Sequence, residues 1–431
     1  MNILTATRSL LTPQLHSAQA RVGRVLMVVL ASAALQVAMQ TLLARNLTKS
    51  EVGLFSLVLG ALPILSTLST LGQDASIVRF LTKSEAASYD VRGHLARVLA
   101  MVLPLGIVAG VAGAWFYGLG VGLGITLVSL VVSQNAVTVI GSVLRASHRY
   151  ELAMLSVRLP TIAAAVTLIV IRLSDTMTYA TTAVALAAAY VASAVAVGSQ
   201  SRAAAHRGNE RVPGSVVGEG LFFFGLGISF SFMIAVDKLI IGKMMRYEDL
   251  AVYASIFAIM RGFDFLFYSM NFVLMPRVNV VSNLRLRRLN LSIAGLAVVV
   301  AGAYLLVGDE VVSLLYRGLY DEGSYLILPF VLSGIAKLFY SVPSSVIGGR
   351  LPRRALVQFM WFNLAGMGLN LVLDIVLIRS MGLAGAAIAT AIAWGIRLAG
   401  GYVLLAVNRH HLGPAGLGRA EGDTRSGDDR T

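Results

Sequence analysis

Residues 221–277 read LFFFGLGISFSFMIAVDKLIIGKMMRYEDLAVYASIFAIMRGFDFLFYSMNFVLMPR. This stretch is two apolar runs joined by a short charged link, and each run is long enough to cross a hydrocarbon core about 30 Å thick. Ionisable residues stand inside both runs: Asp237 and Lys238 near the end of the first, Arg261 and Asp264 within the second. A charge at the centre of a spanning helix costs about 2.5–3.5 kcal/mol on insertion scales, so such residues face a bundle interior or a wet cavity. The hairpin has an echo near the start of the chain. Ser50-Glu51-Val52-Gly53-Leu54-Phe55 follows one apolar run as Glu248-Asp249-Leu250-Ala251-Val252-Tyr253 follows another, and in that register Arg79 falls opposite Arg277. The chain therefore reads as two related halves, with 221–277 opening the second.

Bulk properties agree. Apolar residues make up 57% of the 431 and charged ones 13%, and the mean hydropathy is +0.78. A soluble domain is about 45–50% apolar and about 25% charged, so the class is an all-α polytopic membrane protein. The formal net charge of +14 invites nucleic acid as a partner. Basic residues in membrane proteins gather on cytoplasmic loops, and nucleic acid is set aside for that reason. The absence of Cys rules out disulfides and thiolate metal sites. His148 and the His410-His411 pair are scattered and read as interfacial residues, with no metal implied.

Hydropathy predicts about twelve spans: 25–43, 53–71, 98–117, 121–144, 154–171, 178–197, 221–241, 251–275, 289–307, 325–345, 356–378 and 382–407. They divide into a leader (1–24), an N-lobe of six helices (25–200), a linker (201–220), a C-lobe of six helices (221–407) and a disordered tail (408–431). Lys and Arg favour the side shared by both termini about three to one, which puts both termini in the cytoplasm. An even span count per half gives the halves one orientation, related by an axis along the membrane normal.

Polar stripes mark the spans. Asn363, Asn370 and Asp374 recur at i, i+7 and i+11 on one helix face. Ser333, Lys337, Ser341 and Ser344 form another stripe, Arg261, Asp264 and Tyr268 a third, and Ser32, Gln36 and Gln40 an uncharged fourth. Such groups either line a hydrated cavity or glue helices by hydrogen bonds. The uncharged stripe reads as glue. Lys337, Arg261 and Arg397 read as cavity residues, because no local residue neutralises Lys337 or Arg397. Arg261 has a partner available one turn away in Asp264. Asp237 and Lys238 fit the interior and the external interface equally well, and Asp374 lies near a span end.

Several of these segments resemble the polysaccharide biosynthesis flippases of the multidrug/oligosaccharidyl-lipid/polysaccharide (MOP) exporter superfamily, which also contains the MATE transporters. They are Leu43-Ala44-Arg45-Asn46-Leu47 with Glu51-Val52-Gly53-Leu54-Phe55, Leu71-Gly72 before Arg79-Phe80, Leu144-Arg145-Ala146, and Asp237-Lys238 before Tyr253. The clearest is Asn370-Leu371 through Leu377-Ile378, then Met381-Gly382-Leu383-Ala384-Gly385-Ala386-Ala387-Ile388-Ala389-Thr390. The resemblance implies a two-lobed transporter that carries a lipid-linked oligosaccharide, such as an O-antigen precursor of lipopolysaccharide, to the outer leaflet of the bacterial inner membrane. It implies substrate contacts at Arg79, Arg261, Lys337 and Arg397, joined by Asn363 and Asn370 from the polar stripes. Asp237, with Asp264 and Asp374, would serve ion coupling or gating with H+ or Na+; no other cofactor is implied. Pathway polymerases and glycosyltransferases would be partners, beside the bilayer itself.

Two rival functions fit the same chain. One is a MATE-type multidrug or metabolite antiporter, which needs an acidic cavity. The other is a membrane glycan polymerase or glycosyltransferase, which needs a positioned acid or base at an aqueous face. The short loops offer no carboxylate pair for the second.

Overall fold

A computed structural model describes residues 27–28, 30–81, 88–147, 149–204, 208–274 and 283–409. The expected leader and all but the first two residues of the expected tail lie outside the described residues, as do His148, His410, His411 and Arg277. The first helix, α1, covers 30–46. It is followed by α2 (Lys49–Thr70), α3 (Gln73–Leu81), α4 (Val91–Phe116), α5 (Val121–Ala146), α6 (Tyr150–Leu173), α7 (Tyr179–Ala204) and α8 (Ser215–Met244). Then come α9 (Tyr247–Leu274), α10 (Asn283–Tyr316), a 3-10 turn (Asp321–Leu326), α11 (Ile327–Arg350), α12 (Arg353–Met381) and α13 (Leu383–Val407). Among the described residues there are eleven helices long and apolar enough to cross a membrane. With α1 they account for all twelve expected stretches, and the protein is a multi-pass all-α membrane protein.

The helices start and stop where local chemistry tells them to. Thr48 and Glu51 form a reciprocal capping box at the start of α2, satisfying two backbone donors that the first turn leaves open. Asp90 caps α4 through the amide of Gly93. Leu71 and Gly72 turn left-handed, with φ of 49° and 70°, and split what hydropathy reads as one span end into α2 and the short α3. A Cβ on Gly72 would lie 2.2 Å from the carbonyl oxygen of Gly220, so glycine here serves both the backbone angle and the close approach of α8. α8 opens at Ser215, inside the expected linker, because Val216 buries although Glu219 depresses the local hydropathy. The linker is also tied down: Tyr89 and Glu210 form a parallel bridge, and the Asp90 amide donates to the Glu210 carbonyl at 2.7 Å.

Two compact units divide the chain, Met1–Ala258 and Ile259–Thr431, and the division falls within α9. In the first unit α5 packs against α4, α6 and α7, while α8 packs against α2 and α3. Polar knots sit in this core: the Ser66 hydroxyl donates to Asn135 Oδ1 at 2.6 Å, and the Gln40 amide reaches Ser56 and Ser255. In the second unit α13 packs against α11 and α12, and α10 packs against α11. Small residues let these helices touch backbone to backbone, as is usual in membranes. A Cβ on Gly385 would lie 2.0 Å from the Leu377 carbonyl oxygen, and one on Gly400 would lie 1.8 Å from the Phe362 ring. The outer faces of α4 and α10 expose Ile107, Val108, Val111, Val298, Val299 and Leu306. An apolar surface of that extent belongs against lipid.

Candidate functional site

The second unit buries a charged and aromatic cluster. α9 and α11 run side by side in the same direction, because their contacts advance together along both helices. Lys337 Nζ meets Asp264 Oδ1 at 2.7 Å, Ser341 meets Met270, and Ser344 and Ser345 both donate to Asn271 Oδ1. The carboxylate that hydropathy placed within reach of Arg261 is thus held by Lys337. Arg261 itself is partly buried, three residues earlier on α9.

One indole brings the second cation into the group. The Trp394 ring lies 5.2 Å from the Lys337 ammonium and 5.6 Å from the Arg397 guanidinium. Lys337 is 4% exposed and Arg397 only 1%. Cations gain about 2 kcal/mol or more over an aromatic face when desolvated, which offsets part of their burial. Arg397 also donates to the Asn363 carbonyl at 3.4 Å. The Asn363 side chain accepts from the Tyr340 hydroxyl at 3.0 Å and donates to the Phe359 carbonyl. Gly366 faces the arginine stem, where a Cβ would make ordinary van der Waals contact at 3.8 Å. Phe267, Tyr340 and Phe359 close the cluster with ring contacts to one another or to Trp394.

A second polar group lies further along α12. Asn370 donates to Asp374 Oδ2 at 3.3 Å, and Asp374 is wholly buried, although it falls near a span end in the sequence. Thr390 of α13 falls, in antiparallel register, between the contacts of Gly385 with Leu377 and of Arg397 with Gly366. That places it opposite the turn carrying Asn370 and Asp374. Asn370 Oδ1 and Thr390 Oγ1 are buried with no hydrogen-bond partner. Buried oxygens in that state are costly unless something binds them. Among the described residues no group of three His, Asp or Glu side chains assembles.

Asp237 and Lys238 belong to the first unit and are buried within it, 2% and 6% exposed. Tyr253 donates to Asp237 Oδ2 at 2.5 Å. Lys238 Nζ lies 3.8 Å from Asp237 Oδ1, donates to the Ile234 carbonyl and sits 3.7 Å over the Phe257 ring. A Cβ on Gly60 would press the lysine stem at 3.2 Å. Arg79, on α3, is half exposed beside Glu219 at 3.8 Å and over Phe223. The structure therefore gathers Asp264, Lys337, Asn363 and Arg397, sets Asn370 with Asp374, and keeps Asp237 and Arg79 in two separate places in the first unit. The aromatic partners Trp394 and Tyr340 are missing from the sequence reading, although each stands three residues from its cation on the same helix.

No family model and no curated protein matches the chain. Solved structures do match it. The lipid II flippase MurJ in an inward closed conformation superposes with a TM-score of 0.66 at 10% identity, covering 89% of this chain and 87% of that one. An inward-facing multidrug resistance MATE family transporter of the MOP superfamily gives 0.61 at 15%, covering 90% and 98%. The MATE multidrug transporter DinF-BH, solved as a complex, gives 0.61 at 18%, covering 92% and 96%. The fold is that of the MATE and MOP transporters.

Proposed function

We propose that this protein is a transporter that flips a polyprenyl-pyrophosphate-linked oligosaccharide from the cytoplasmic to the outer leaflet by alternating access, without catalysing bond chemistry. The observation that carries the reading is the burial of Lys337 and Arg397 against one indole inside membrane helices. A sugar-phosphate headgroup loses its water on entering hydrocarbon. Buried cations and amides replace that hydration, and intramembrane charges of this kind mark substrate pathways. The fold shared with a lipid II flippase points the same way. The setting is the bacterial inner membrane with both termini cytoplasmic, and the pathway's polymerase and glycosyltransferases supply and consume the carried glycan.

H+ or Na+ drives the cycle in this proposal. Asp374, with the oxygens of Asn370 and Thr390, offers a hard-oxygen group suited to a small cation, and Asp237 offers a buried carboxylate for a proton. Flipping of a fluorescent polyprenyl-pyrophosphate glycan in proteoliposomes tests the reading. Lys337→Ala combined with Arg397→Ala is expected to lower the initial rate at least about tenfold, a loss of at least about 1.4 kcal/mol of transition-state stabilisation. An undiminished rate in the double variant overturns the site. A MATE-type exporter is the second reading, favoured by the buried carboxylates Asp237 and Asp374 and the partly buried Asp264. Ion-gradient-dependent efflux of cationic dyes, with no glycan flipping, would establish it instead.

A further inference from the structure

We infer that Asp264 is a built-in counter-ion that occupies Lys337 while the site is empty, and that an anionic headgroup displaces it with uptake of one proton. The inference rests on the anionic-headgroup reading above. Lys337 Nζ is 2.7 Å from Asp264 Oδ1, with the lysine side chain 5% and the aspartate side chain 18% exposed. The remaining surroundings of the ammonium include the Trp394 ring, so the carboxylate holds the place that a phosphate oxygen would take. Asp264 is the more open of the two partners.

The charge balance then follows. With the site empty, one ammonium faces one carboxylate. A phosphate brought to the same ammonium adds a negative charge a few ångströms from the Asp264 carboxylate, and a like charge that near disfavours the ionised carboxyl. Protonation of Asp264 restores the balance: Lys337 remains an ammonium, the phosphate replaces the carboxylate on it, and Asp264 becomes a neutral acid able to donate a hydrogen bond. No bond to carbon or phosphorus changes, and the proton comes from water and returns to it on release. The charged and titratable groups around the pair are Arg261 on α9, Tyr304 on α10, Tyr340 on α11 and Arg397 on α13. Those neighbours are guanidinium and phenol groups, and Asp264 is the carboxylic acid of the set. That leaves the Asp264 carboxyl as the group whose charge changes when the anion arrives.

The test is binding of farnesyl pyrophosphate to the detergent-purified full chain between about pH 6 and about pH 8. Wild type is compared with Asp264→Asn, so that titration of the ligand itself cancels in the ratio of their affinities. Exchange of one proton makes the wild-type affinity, relative to the variant, fall by up to about tenfold per pH unit as pH rises. Calorimetry of the wild type alone at about pH 8, where the pyrophosphate is essentially fully ionised, in two buffers of unequal ionisation heat, is expected to count net proton uptake of up to one. This second arm stands even if Asp264→Asn fails to fold. A pH-independent affinity ratio, or no proton uptake on binding, overturns the inference. If the ligand still binds and Lys337→Gln abolishes that binding, the anionic reading survives such a result. No binding of the probe by wild type at any pH overturns both.

Discussion

Tyr253 and Asp237 show how one residue keeps another in place. The hydroxyl donates to a carboxylate that is 2% exposed, and a buried acceptor that loses its donor costs about 1–3 kcal/mol. Tyr253→Phe removes only the oxygen and leaves the ring stacked on Phe257. It is expected to lower the thermal midpoint of the detergent-solubilised protein by several degrees, read by the dye-free static scattering and fluorescence of a melting curve. A midpoint unchanged from wild type would mean that the Lys238 amide, at 2.8 Å from Asp237 Oδ1, suffices alone. At this scale the sequence was partly legible. It exposed Asp237, Lys238, Asp264, Lys337, Asp374 and Arg397, because charge against apolar background is a strong signal, but it passed over Arg158 inside the expected span 154–171. Their partners stayed hidden: Lys337 lies 73 residues from Asp264, and no local spacing rule reaches that far.

Among the elements, α12 and α13 pack backbone to backbone. The chain reverses at Gly382, where φ is 61°, and α13 returns with Gly385 pressed on the Leu377 carbonyl. Gly385→Val has no room at 2.0 Å, and overpacking of this kind costs about 1–3 kcal/mol or more. The variant is expected to show a reduced monodisperse yield on size-exclusion chromatography and a lower melting midpoint, while Gly295→Ala, with open space around it, behaves as wild type. Equal behaviour of the two variants would refute tight α12–α13 packing. Gly382, Gly385, Gly395, Gly400 and Gly401, interleaved with alanines, favour such packing on sequence grounds. The short α3 and the 3-10 turn at Asp321–Leu326 were not foreseen, because hydropathy windows of about 19 residues average over elements of nine and six residues.

For the whole molecule, hydropathy and length recovered the membrane-spanning helices, since the bilayer fixes both quantities. The compact division inside α9 depends on which helices touch, a quantity that hydropathy does not carry. The orientation drawn from loop charge leads to a direct measurement. Green fluorescent protein fused after the final residue is expected to fluoresce, and alkaline phosphatase fused at the same place is expected to stay inactive. The opposite pair of results would invert the topology. The arrangement around Trp394 also has a spectroscopic consequence. The chain holds three tryptophans: Trp115 and Trp361 are 83% and 63% exposed, and Trp394 is 1% exposed. Replacing the first two by phenylalanine leaves a single emitter lodged between an ammonium and a guanidinium. Its colour and lifetime then respond to any rearrangement of those two cations, giving the protein an intrinsic optical gauge with no label attached.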